Sequence, residues 1–395
     1  MRVMDKLRLM AVGDIWLQTG NDRHPFGEIL HILRDKDLLF GNLETALSET
    51  GERARKHHVI SSPPEAAGYL ADAGFDLLSV ANNHTADLGA EGLQNTLHAL
   101  EAHGILPIGA SASSDRQRPV VVERNGISIG FAGYTTGRTA VFDGISVNRL
   151  VEEDIIADIA SLAGRCDHIA VSLHWGTEMA YYPSPRQIDL AHRLIEAGAT
   201  LILGHHSHTM QAVERYHGGL IAYSLGMFQF DPNWPHNLSP EGFILAVDLS
   251  KSGGVGEYEV IPLTVDDDFV PRPAEGARGE DIRSFITDIS QPVAEGGITE
   301  TRWFEEIAPA HMKMNLESYR YRIRKNGLLP LLEMGVWLCT PFCLKCCAGL
   351  LRRSLRPARP QVRRVPGEDA GTGVGTGEGD LAGAGPIRGM GRGRG

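Results

Sequence analysis

The chain of 395 residues is short of cysteine, of aromatic residues and of positive charge. Its five cysteines are an isolated Cys166 and a cluster of Cys339, Cys343, Cys346 and Cys347. That is no disulfide framework for a chain of this size, and a reducing compartment fits better. A formal net charge of -11 argues against nucleic acid as a default partner, because a phosphate backbone wants a basic face. The opening residues, MRVMDKLRLMAVGD, contain no apolar leader core and no small-residue cleavage site. No signal peptide is therefore expected, which places the protein in the cytoplasm or against the inner face of the membrane. What remains, 42% hydrophobic and 22% charged, is the composition of an ordinary globular protein.

The most informative stretch is Leu201-Ile-Leu-Gly-His-His-Ser-His208. An apolar run ending in glycine reads as a buried strand, and three histidines, His205, His206 and His208, follow it directly. Loops at the ends of buried strands are where α/β folds keep their chemistry. Imidazole is the commonest metal ligand, and a His-x-His pair can turn both rings to one side of an extended loop. One histidine there would read as a polar loop residue; three read as a metal site.

Along the chain, strands are expected at Leu7–Val12, Asp37–Phe40, Asp76–Val80, His168–Leu173 and Thr200–Leu203, with a hairpin around Arg124-Asn-Gly126. Helical spacing appears at Pro25–Lys36, Pro63–Ala73, Ala90–His103, Glu152–Ala163 and Pro185–Ala197. Three antiparallel strands are expected over Met210–Arg215, Leu220–Ser224 and Gly242–Leu249, with Tyr258–Leu263 a candidate fourth. This alternation describes a layered α/β domain over 1–265. Residues 266–365 read as a linker, appended helices and a basic, apolar, cysteine-bearing segment. Residues 366–395 are Gly-rich and expected to be disordered.

Polar residues of metal-binding type gather just after five of these runs. They are Asp14; Asn42 and Glu44; Asn82, Asn83 and His84; His174, with Trp175 beside it and Glu178 nearby; and the histidine loop. Singly, each has a plain structural explanation, such as a turn cap, a solvated carboxylate or a satisfied core histidine. Together they have a common one, since the ends of parallel strands converge on one crevice. Mixed carboxylate, amide and imidazole donors suit Mn, Fe or Zn better than calcium or magnesium.

In order, Gly13-Asp14, Gly41-Asn-Leu-Glu44, Ala81-Asn-Asn-His84, His174-Trp-Gly176, Gly204-His-His-Ser-His208 and Tyr223-Ser-Leu-Gly226 resemble the motifs of CapA-type poly-γ-glutamate capsule synthesis proteins. The fold of that family is similar to calcineurin-like metallophosphatases, and the resemblance covers roughly residues 7 to 250. It implies one or two divalent ions held by Asp14, Asn42, Glu44, Asn83, His174, His206 and His208, with His205 able to replace His206 if the loop aligns on its glycine. It implies catalytic roles for His84, as proton donor to a leaving group, and for Glu44. His205, Trp175 and Glu178 are expected to contact substrate. The implied partners are poly-γ-glutamate or a related anionic polymer, and a membrane-bound synthase. Two departures from the phosphatase pattern stand out: Asp14-Ile-Trp16 lacks the usual Asp-x-His, and Asn42 stands where phosphatases bridge two metals with an aspartate. Alternative roles are a metal-dependent phosphoester hydrolase and a non-enzymatic scaffold that binds polymer or synthase.

Near the C-terminus, Cys339-x3-Cys343-x2-Cys346 has the spacing of a radical iron–sulfur motif, but only a glycine-rich tail follows it. The apolar stretch Leu328–Leu351 is flanked by Arg320-Tyr-Arg-Ile-Arg-Lys325 and Arg352-Arg353. It reads either as a membrane-surface contact over 320–356 or as a buried helix ahead of a basic tail.

Overall fold

The computed structural model describes residues 6–17, 23–56, 58–136, 142–230, 240–251 and 254–355. Two sheets face each other. The first, of eight strands, runs in the order Pro271–Pro273, Gly254–Val265, Glu241–Ser250, Lys6–Ile15, Leu38–Leu43, Leu77–Ser79, Leu106–Ile108, and Met227–Gln229 pairs with the end of Lys6–Ile15. The four strands from Lys6–Ile15 to Leu106–Ile108 are parallel, and the rest of that order is antiparallel. The second sheet, of six strands, runs Val213–Tyr216, Gly219–Ala222, Leu201–His205, His168–His174, Ile127–Thr135, Val120–Arg124.

The continuous apolar runs of the central strands follow from burial on both faces. Alternate residues of the first strand divide between two cores: Leu7, Leu9 and Ala11 pack between the sheets, whereas Met10 and Val12 pack outward. The outer core includes Leu93, Leu97 and Leu100, spaced along one face of the helix Gly89–Ala102. Between the sheets the rings of Phe40 and Phe131 stack at 5.9 Å. The helix Pro185–Glu196, which leads into the histidine strand, is fixed at its start by a capping box between Ser184 and Gln187.

Several expectations meet the structure directly. The hairpin at Asn125-Gly126 forms with φ of 54° and 75°, the left-handed pair required by a two-residue turn. Gly219–Ala222, expected to be purely antiparallel, is antiparallel to Val213–Tyr216 but parallel to Leu201–His205. It therefore extends the parallel sheet, because Leu220, Ile221 and Ala222 are buried and bring a further row of apolar side chains to it. The segment read as a linker after 265 contains the strand Pro271–Pro273 and, from Gly276, a helix to Ala294. Ile282, Phe285, Ile286 and Ile289 of that helix join the inter-sheet core. The Gly-rich tail lies outside the described residues.

One irregularity decides where the chemistry sits. Lys6–Ile15 pairs with Leu38–Leu43 in register as far as Ala11 with Phe40, and then Asp14 pairs with Asn42, so one strand carries an extra residue. Such a bulge re-aims the side chains beyond it. It also lets the Asp14 amide donate to the Gly226 carbonyl at 3.0 Å, with Gly226 in a left-handed conformation at φ 73°. A Cβ on Gly13 would overlap the carbonyl of Gly226, backbone against backbone, where no rotamer change gives relief. Gly13→Ala should therefore cost about 3–5 kcal/mol in urea unfolding. Gly68→Ala, in an open helical position, should be neutral or raise stability by up to about 1 kcal/mol.

Candidate metal centre

Both sheets end their parallel strands at the same edge. Asp14 and Asn42, with Glu44 just beyond, arrive from the first sheet, while His174 and His205 close strands of the second. The turn after Leu201–His205 is tight: His206 has φ 88° and His208 has φ 56°. Left-handed φ is uncommon away from glycine and costs about 1 kcal/mol or more. Here it turns the His206 ring toward His174, with centroids 4.5 Å apart, and aims the His206 amide at Asp14 Oδ2 over 3.1 Å.

Asp14, Glu44 and His174 are fully buried, and His208 is nearly so. Glu44 lies between two imidazoles: its Oε1 is 3.1 Å from His174 Nδ1 and its Oε2 is 3.9 Å from His208 Nε2. Asp14 meets His208 Nδ1 at 3.2 Å and His205 Nδ1 at 3.4 Å. Three groups have potential ligand atoms within 4.8 Å of one another: Glu44, His174 and His206; Asp14, Glu44 and His208; and Glu178, His206 and His208. Asn83 Oδ1 adds a contact of 3.0 Å to His174 Nε2.

The donor set fits a divalent cation. Among the potential ligands, Glu44 Oε2, His206 Nδ1 and His208 Nδ1 are buried without a hydrogen-bond partner. Polar atoms are seldom left so, each costing about 1–3 kcal/mol, and a shared cation is the economical resolution. Two carboxylates buried in one pocket, Asp14 and Glu44, make the same demand, since burial of like charge is costly without a counter-ion.

Four of the expected site residues are placed as follows. Asn42 presents its amide as a donor to the carboxylates: its Nδ2 donates to Asp14 Oδ1 at 2.9 Å and to Glu44 Oε1 at 3.3 Å, while its Oδ1 accepts from Asn82 at 3.3 Å. An amide nitrogen with hydrogens has no lone pair to offer a metal. Asn42 thus clamps the two carboxylates, and Glu44 is the group shared between two donor sets. Trp175, expected to touch substrate, is a core residue whose indole donates to the Tyr223 carbonyl at 3.1 Å and whose ring lies parallel to that of Tyr223. His205 has no exposed side-chain surface and packs behind Asp14, against Phe40. Glu178, the third substrate expectation, lies instead among potential ligands, with His206 and His208.

His84 stands beside this cluster rather than in it. Its Nδ1 is 2.8 Å from Asp87 Oδ2 and 3.2 Å from Lys56 Nζ, and Lys56 also pairs with Asp87 and donates to the Asn83 carbonyl. Sequence reasoning missed Lys56 and Asp87. The first lies in a polar loop without periodicity, and the second is three residues beyond the motif it supports. Asn82, noted only as a strand-end residue, ties the loops together by donating to the Leu43 carbonyl at 2.7 Å. Two residues after Asp14, Trp16 packs edge-on against Phe230 at 5.4 Å, and Phe230 lies 4.5 Å from the His208 ring. That side of the site is an apolar wall.

The sequence model of the family described as "Bacterial capsule synthesis protein PGA_cap" matches residues 8–232, more than half of the chain and every residue of the cluster. The chain belongs to this family. Among its capsule synthesis relatives, "Capsule biosynthesis protein CapA" of Bacillus anthracis is 27% identical over 351 residues, 82% of each chain. "PGA biosynthesis protein CapA" of Bacillus subtilis is 31% identical over 278 residues, 66% of this chain and 72% of the relative. Among solved structures, a phosphatase from Mycoplasma pneumoniae is similar over 66% of this chain and 95% of its own, at 14% identity and a TM-score of 0.42.

The electrostatics of this capsule-family site give it a pH signature when free of metal. Burial and the nearby Asp14 hold the Glu44 carboxyl well above its usual range. Burial would lower His208, but Glu44, Asp14 and Glu178 outweigh it and raise its pKa to about 9. Burial, with His206, pushes His174 well down, so it stays neutral and available as a ligand. Burial also works against Asp14, yet the adjacent imidazoles of His205 and His208 bring it well below the ordinary carboxylate range. A histidine with a raised folded pKa stabilises fully below its unfolded value and loses that contribution as pH rises through the folded one. Glu44 has the same sign, resisting a charge that the unfolded chain accepts. Chelator-treated protein should therefore lose stability from pH 6.5 to about 9, a window set by His208. The urea midpoint checks this, and His208→Asn should flatten the slope.

Proposed function

We propose that this protein serves the synthesis of a γ-glutamyl surface polymer, poly-γ-glutamate or a relative, through a centre holding one or two ions of Mn, Fe or Zn. The observation that carries the reading is the shared carboxylate of Glu44, which joins the His174 and His206 side of the site to the Asp14 and His208 side. Asn83 and Glu178 complete the two sides. When bound, such an ion supplies Lewis-acid activation of water and of a carbonyl or phosphoryl oxygen. The protein's own residues do the rest. Asn42 holds Asp14 and Glu44 in register. Asp87 and Lys56 hold His84 through Nδ1, which leaves Nε2 as the ring atom that can take up a proton and pass it to a leaving group, and burial keeps the ring neutral until it does so.

The engaged His84 also favours a second reading, a metal-dependent phosphoester hydrolase, since a positioned acid is of use only where a bond breaks. One experiment separates the two. A Bacillus subtilis strain lacking its own CapA is supplied with this chain or with its Glu44→Gln variant. Restored polymer with the wild type alone supports the first reading. No polymer, with turnover of a phosphodiester chromogen by the purified protein, supports the second.

A further inference from the structure

We propose that the bent helix pair Leu329–Leu338 and Pro341–Leu355 is a docking surface for a bilayer rich in anionic lipid. Among the described residues, eight of the thirteen exposed large apolar side chains fall between Leu328 and Leu355. Such concentration on one structural unit marks an interaction surface, whereas scattered apolar residues need no explanation. Leu328, Leu332, Val336 and Leu355 are 71% to 76% exposed. Leu329, Leu332 and Val336 recur at helical spacing along the first helix, and Leu344, Leu351 and Leu355 along the second, so each helix presents one apolar stripe.

The opposite face of the second helix is already taken. Cys343 and Cys346 are buried, Cys343 Sγ lies 3.7 Å from Met312 Sδ, and Phe342 packs edge-on against Phe304 at 5.3 Å. Gly349 meets the backbone of Phe304, where any larger residue would hold the two helices apart. This helix is thus seated on Glu300–Asn326, and its outer stripe is what remains. The cysteines are explained by this packing, and no cysteine belongs to a candidate metal group among the described residues.

Geometry favours lying on a bilayer over crossing it. No single described helix is long and apolar enough to cross, and the pair is bent by 70° at its break. At about 1.5 Å per residue the two helices reach only about 15 and 22 Å, against a hydrocarbon core of about 30 Å. Insertion would also strip the second helix from its partner.

Charge selects the occupant. Between residues 313 and 355 there are eight Lys and Arg against Glu317 and Glu333, in a chain of net charge -11. Arg322, Lys345 and Arg353 pair with Glu333, Glu300 and Glu306, while Arg320, Arg324 and Arg352 are exposed and supply the remaining positive charge. A second copy of the chain docking through the same face would bring this positive surface against itself. Anionic headgroups match it, and the leucines match the acyl boundary.

The test is sedimentation of the full chain with vesicles of phosphatidylcholine alone or mixed with phosphatidylglycerol. Binding is expected to the mixed vesicles only, weakening with salt. Arg324→Gln with Arg352→Gln should weaken it about 25-fold, from about five-fold per arginine. Leu332→Asp with Val336→Asp should weaken it at least about ten-fold. Both variants should keep the wild-type circular dichroism and melting point, because all four side chains are exposed. Absence of binding to either vesicle overturns the proposal, as does binding that both variants retain. Self-association lost in the leucine variant, without vesicle binding, would assign the face to a second copy and overturns it equally.

Discussion

Purified with its metal, the protein should carry about one or two equivalents of Mn, Fe or Zn, and the His206→Ala/His208→Ala double variant less than about a tenth of that. The effect should be this large because the two residues touch all three donor groups. His206 belongs with Glu44 and His174, His208 with Asp14 and Glu44, and both with Glu178. Changing residues that merely orient metal ligands costs about 10–100-fold in affinity, so losing two imidazoles that point into the site should exceed that. The control is His192→Ala, whose ring stacks on Tyr216 at 3.6 Å and faces Glu214, at a distance in sequence and in contacts from the cluster. Elemental analysis of the three proteins decides the matter. Metal retained by the double variant, or absent from a folded wild type, would leave the buried donors without the cation assigned to them.

The parts of this site that were legible in the sequence are those that a strand delivers. Asp14, His174 and the histidine loop follow apolar runs, and the runs are apolar because their strands are buried on both faces. What stayed hidden depends on contacts between distant segments. Asn42 occupies a ligand's place in the motif, yet its amide nitrogen faces Asp14 across 28 positions, and only the partners show which way an amide turns. Lys56 reaches His84 from a loop with no period to read. His205 and Trp175 look as available as their neighbours, and only packing against Phe40 and Tyr223 shows that they are enclosed. Leu106–Ile108 and Met227–Gln229 are three residues long, too short for alternation to register. The parallel pairing of Gly219–Ala222 escaped for a related reason, since apolar content fixes burial but not strand direction.

Glu44→Gln should reverse the order of stability between the metal-free and metal-loaded protein. Without metal, Glu44 is fully buried, and burial with the adjacent Asp14 opposes its ionisation. Glutamine has nearly the same shape and keeps an oxygen for the 3.3 Å bond from Asn42, but it brings no charge. Replacing a buried carboxyl whose ionisation is opposed in this way removes a group that resists its charge at neutral pH, so the chelator-treated variant should melt at or above the chelator-treated wild type. With metal the argument turns over. An ion at a thousand times its dissociation constant stabilises the folded wild type by about 4 kcal/mol, and a neutral amide in place of the shared carboxylate weakens that affinity on both sides of the site. The wild type should then be the more stable of the two. Four melting curves, each protein with chelator and with saturating Mn, test the crossing. A wild type that is more stable under both conditions would mean that Glu44 is held mainly by its pairing with His174, and the shared-ligand role would fall with it.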